Sequence, residues 1–197
     1  MGKNYEVLKH IKMQLSDYDD AISNAIQRLF NVEDQRKECM GCVIDSVVAA
    51  LIFKKYGVEA QIHLGEVCAD GKQDAYHCWL TIDNKILDIG IYGNSQYNSY
   101  FKGEKLKQPI ILEDPGVIKY ADGSTEDNTW LSQLSKMPIS EYIKRCPQNR
   151  VVKLFCQSLD IIENKENQDM IYELSKDMCF PELERISMSP SGRRGLW

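Results

Sequence analysis

The strongest constraint on this chain lies in residues 42–56, where apolar pairs at Val43/Ile44, Val47/Val48 and Leu51/Ile52 recur at helical spacing and Gly57 follows as a stop. The pattern then changes period. Residues 58–67 alternate Val58, Ala60, Ile62 and Leu64 with Glu59, Gln61, His63 and Gly65, as a strand with one buried face does. Residues 69–72 read as a turn. Residues 76–82 and 86–91 read as two further strands, with hairpin chemistry in Asp83 and Asn84 between them. The expected fold class is α+β, a helix packed on an antiparallel sheet with additional helices at both ends.

The flanks are less sharply marked. Residues 4–30 have the spacing of two amphipathic helices, with Ser16 as N-cap of the second and Asp17 to Asp20 near its positive end. Residues 31–38 read as a charged connection. Beyond Tyr92, residues 93–107 are polar and tyrosine-rich, 109–112 suggest a short strand and 114–128 a loop. Residues 129–136 and 168–179 suggest helices, and 151–162 fit helix or strand. The expected organisation is a single domain over residues 1–186, made of N-terminal helices (1–38), a core (39–92) and a C-terminal extension (93–186). A disordered tail is expected over 187–197.

A length of 197 residues, with 43% apolar and 27% charged, suits one globular domain. The net charge of −5, with basic residues scattered, gives no reason to expect a nucleic-acid or anionic-membrane surface. Seven Cys, an odd number, and the lack of a leader-like start or a membrane-length apolar run lead us to expect free thiols in a reducing, cytoplasmic setting. Only His10, His63 and His77 can supply an imidazole.

Cys42 stands at the start of its helix, where unpaired N–H groups and the positive end of the macrodipole favour a thiolate. A nucleophilic Cys also needs a base, and the base needs an orienting group. A two-residue loop at Asp83 and Asn84 puts Asp88 opposite Trp79 and diagonal to His77 on one face. That is about 7–8 Å between Cα atoms, close enough for imidazole and carboxylate to meet. A loop of odd length would turn Asp88 to the other face.

Cys42 with Ser46, Leu51, the run from Gly57 to Ala60, Gly65, the triplet His77, Cys78, Trp79, and Ile86 to Asp88 together resemble the core of the transglutaminase-like superfamily. That superfamily is a circularly related branch of the papain-like fold. The similarity is greatest to small bacterial members such as the leader peptidases of lasso-peptide pathways. The resemblance implies a papain-like architecture and a triad of Cys42 nucleophile, His77 general base and acid, and Asp88 orienter. It implies thiol-protease or amidase chemistry on a peptide or protein amide through a thioester, with no metal or organic cofactor. Transfer to an amine acceptor, as in a transglutaminase, is the nearest alternative.

Each site residue also has a plainer reading. Cys42 can be a small apolar residue, His77 a satisfied core histidine, and Asp88 a carboxylate held by backbone amides. Trp79 is core or pocket wall. Tyr92, with Tyr97, Tyr100 and Trp130, lines a substrate groove or packs beneath a loop. His63 is expected in solvent, His10 on a helix surface, and Ser46 against the sheet. For an oxyanion hole the candidates are the Cys42 N–H and the Gln35 amide. Cys39 and Cys42 form a CxxC, but the charged residues 34–38 before it are unlike the strand of a redox motif. A non-catalytic module with structural zinc on Cys39, Cys42, Cys68 and Cys78 is the alternative from another class.

Overall fold

A computed structural model describes residues 3–37, 41–72, 74–98 and 103–192. Two N-terminal helices, α1 (Lys3–Gln14) and α2 (Asp20–Arg36), precede α3 (Cys42–Lys55). Strands β1 (Gln61–Ala69), β2 (Ala75–Ile82) and β3 (Lys85–Asp88) follow, then α4 (Gly90–Tyr97), β4 (Ile110–Glu113) and β5 (Ile118–Asp122). The chain closes with α5 (Thr129–Leu134), α6 (Ile139–Arg145), α7 (Arg150–Leu159) and α8 (Lys165–Leu174). All strand pairs are antiparallel, in the order β4-β3-β2-β1-β5. Among the described residues no helix is long and apolar enough to cross a membrane.

The apolar pairs of α3 make it the centre of the molecule. Every residue from Val47 to Phe53 is buried, and the helix contacts α2, α4, α7 and α8 as well as β1 and β2. Each fully buried aliphatic side chain of this kind stabilises the fold by about 1.5–3 kcal/mol. Ser46 fixes the helix to the sheet by donating to the Cys78 carbonyl at 3.1 Å. Along β2, Cys78, Leu80 and Ile82 join the core with α3, while Trp79 alternates to a smaller cluster with Val67, Ile91, Ile110 and Ile118.

The hairpin between β2 and β3 has the anticipated register. Leu80 pairs with Leu87, Thr81 with Ile86 and Ile82 with Lys85, which leaves Asp83 and Asn84 as the loop. Both loop residues have positive φ, 51° and 62°, the conformation of a type I′ turn and one that Asp and Asn tolerate. Strand β1 lies between β2 and β5, and Gly65 lets β5 come close. A Cβ on Gly65 would lie 2.0 Å from the Ala121 carbonyl oxygen.

Several expectations are corrected. Helix α2 continues to Arg36 where a charged connection was expected, and its N-cap is Asp19, not Ser16; the Asp19 carboxylate accepts from the Ala21 N–H at 2.7 Å. The third strand ends at Asp88 instead of Ile91, because the Asp88 side chain accepts from the Ile91 N–H and α4 begins there. Strand β5 lies inside the expected loop, α6 was not anticipated, and α7 is helical. In residues 187–192, Ser191 donates to Asp74 through both its N–H and its hydroxyl.

Candidate active site

The start of α3 and the adjoining strands bring together the three residues that the sequence reading singled out. Asp88 accepts from His77 Nε2 at 2.6 Å through Oδ2. Both side chains are 1% exposed. The Cys42 sulfur lies near the same imidazole and helps to raise its pKa, and with Nε2 committed to Asp88, Nδ1 is the nitrogen available to sulfur. Cys42 is buried and occupies the first residue of α3, after Gly41. The diagonal register of β2 and β3 is therefore what lets a residue on each strand share one hydrogen bond.

Gly90 sets the position of the thiol. A Cβ on Gly90 would stand 2.8 Å from the Cys42 Cα and 3.0 Å from its Cβ. Side-chain-free backbone at the start of α4 thus allows α4 and α3 to meet end to end.

The carboxylate is held on every side. Asp88 Oδ1 accepts from the Ile91 N–H at 2.9 Å, and Oδ2 accepts a second bond from the Tyr120 hydroxyl at 2.7 Å. Tyr120 comes from β5, beyond the stretch that the sequence reading drew on, and was missed. The spacing of Ile118, Tyr120 and Asp122 between Gly116 and Gly123 signals a strand there, but not its pairing with β1. Replacing Tyr120 with Phe leaves Asp88 with two of its three bonds. Loss of one charge-assisted bond implies a roughly tenfold fall in turnover with folding intact, measurable as kcat beside a thermal melt.

Burial pulls the His77 pKa down, yet the Asp88 carboxylate and the Cys42 sulfur facing the ring outweigh it and hold the imidazolium up to about 10. This raised value has a definite sign in stability. The contribution of the pair is complete below the ordinary histidine value of 6.5 and disappears as pH rises towards 10. Burial, again, with Asp88 next, pushes the Tyr120 phenol well up, so it stays a donor.

The other candidates are placed as follows. Gln35 is on an exposed part of α2. Trp79 is buried with its ring stacked 5.4 Å from His63 and 6.3 Å from His77. Tyr92 is buried edge-on to Phe30 at 5.3 Å, and the Tyr97 hydroxyl donates to Asp34. Trp130 is exposed on α5, and Tyr100 lies outside the described residues.

Two histidines differ from expectation. His63 is not free in solvent but sits between Asp122 and Thr81, 2.8 Å from each. His10 is buried and lies 3.0 Å from Glu113. Both have structural partners on the sheet.

Of the residues offered for zinc, Cys68 and Cys78 are buried thiols and Cys39 lies outside the described residues. Among the described residues, no three His, Cys, Asp or Glu side chains are grouped so as to hold a metal ion.

A cysteine that opens a helix packed on an antiparallel sheet thus stands beside a His–Asp pair on two neighbouring strands, an α+β arrangement. The family model described as the transglutaminase-like superfamily matches residues 12–102, from the end of α1 to just beyond α4. That stretch holds Cys42, His77 and Asp88, and members of the superfamily are usually cysteine enzymes. No curated protein and no solved structure matches the chain.

Proposed function

We propose that this protein is a cysteine-dependent acyl-transfer enzyme of papain-like plan that hydrolyses a peptide or amide bond, as the leader peptidases among the small bacterial relatives do. The observation that carries this reading is the buried relay from Cys42 through His77 to Asp88, with its 2.6 Å bond between ring and carboxylate. Cys42 sulfur attacks the carbonyl carbon. The C–N bond breaks as His77 gives its Nδ1 proton to the departing amine, which leaves a thioester on Cys42. Neutral His77 then takes a proton from water, and the hydroxide formed attacks the thioester. The acid leaves, and the sulfur and imidazolium are restored. Asp88 keeps Nε2 protonated throughout and directs Nδ1 to sulfur. The Cys42 N–H at the helix start serves as a donor to the developing oxyanion.

Brief exposure to p-nitrophenyl acetate tests the sequence of steps. Intact mass should show one acetyl group on Cys42 that decays with time. In His77→Gln the acetyl group, once formed, should persist at least about 100-fold longer, because the water-activating base is gone. Acetylation spread evenly over exposed nucleophiles, with none on Cys42, would overturn the reading. Adding a primary amine distinguishes hydrolysis from transfer by the mass of the released product.

A further inference from the structure

We propose that a small cavity beside Cys42 is a substrate subsite that takes a primary ammonium group, held as the cation by Asp45 and Glu33. As a substrate subsite it rests on the acyl-transfer reading above. The cavity, about 20 Å³, is bounded by Glu33, Gly41, Asp45, Gly90, Tyr92 and Asn94. A space of this size admits one small polar group.

Asp45 lies one helical turn beyond Cys42 and is 5% exposed. Among the described residues its Oδ1 has no hydrogen-bond partner, and neither have Glu33 Oε1 nor Arg150 Nε behind it. Glu33 Oε2 does receive Arg150, at 2.8 Å. Gly41 keeps the two carboxyl groups together, since a Cβ there would stand 2.9 Å from Asp45 Oδ2 and 3.0 Å from Glu33 Oε2. The arrangement thus offers two unpartnered carboxyl oxygens, and once Asp45 ionises one guanidinium serves two carboxylates, with Asp34, bonded to Tyr97, lining the same cavity. A water molecule would hydrogen-bond these oxygens but could not balance an ionised Asp45. An ammonium group does both, and buried carboxylates require such compensation.

The groups facing Asp45 are Glu33 from α2, Cys42 from its own helix, Arg150 from α7 and Asp88 from β3. Burial, then Glu33 and Cys42, push the Asp45 carboxyl well above the ordinary carboxylate range, while Arg150 opposes them. Binding of a cation therefore displaces a proton from Asp45, and affinity should rise with pH.

Thermal melts of the whole protein provide the test. At pH 8, 100 mM methylammonium chloride should raise Tm by about 3 °C over equimolar sodium chloride or tetramethylammonium chloride. The rise should be at least halved at pH 5.5. It should vanish in Asp45→Asn, which is isosteric, and shrink in Glu33→Gln. Nα-acetyl-lysine amide and glycinamide then distinguish a side-chain ammonium from a peptide N-terminus, according to which reproduces the rise. Equal Tm in all three salts, or a rise that survives in both variants, overturns the proposal. Because melting does not depend on a reactive thiol, failure of the subsite and failure of the Cys42 chemistry are separate results. An ammonium effect with inert Cys42 would keep the binding site and remove its role in catalysis.

Discussion

Replacing His77 with Gln should lower the rate of acyl transfer by at least about 10³-fold, the upper range for loss of a positioned acid and base. The imidazole has two functions here, and Gln keeps neither. It cannot hold a proton for the leaving amine, nor can it present a cation to the Cys42 sulfur. Gln does retain an N–H able to donate to Asp88, and the carboxylate keeps its bonds from Ile91 and Tyr120. Folding should therefore survive, since no buried charge is stripped of all its partners. A circular-dichroism melt beside the activity assay distinguishes the two effects. A variant that melts with the wild type and retains more than about one-tenth of its rate would remove His77 from the mechanism.

Gly90→Ala should produce the second large effect, by a different route. The added methyl would stand 2.8 Å from the Cys42 Cα, in contact with backbone that no rotamer change can move. The start of α3 and the start of α4 must separate. Overpacking of this sort costs about 1–3 kcal/mol in stability, whereas a displacement of the nucleophile near 1 Å can cost about 100-fold in rate. We expect folded protein with turnover lowered about 100-fold and alkylation of Cys42 altered in parallel. Wild-type turnover would mean that α4 yields without moving Cys42.

The part of the fold that carries the proposed chemistry was legible because its signals are local. The paired apolar positions from Val43 to Ile52 require a helix buried on several sides, and the turn residues Asp83 and Asn84 alone determine which face Asp88 shares with His77. Tyr120 was hidden because its relation to Asp88 spans 32 residues and depends on β5 pairing with β1, which nothing within residues 114–128 specifies. His10 and His63 were misread for the same reason. A histidine on a polar stripe looks solvated until a distant Glu113 or Asp122 comes to meet it. The early end of β3 was missed because the deciding bond, from the Ile91 N–H to the Asp88 carboxylate, is made by a side chain and leaves no mark in hydrophobic period.

The central claim is that His77 activates Cys42, and the protein contains its own reference in Cys179, an exposed thiol. Timed iodoacetamide labelling between pH 5 and 9, with peptide mapping of both cysteines, compares them in one tube. An imidazolium maintained up to about 10 beside the sulfur predicts that at pH 6 Cys42 reacts at least about 100-fold faster than Cys179, and that His77→Gln abolishes the difference. Equal rates for Cys42 and Cys179 at every pH would contradict it.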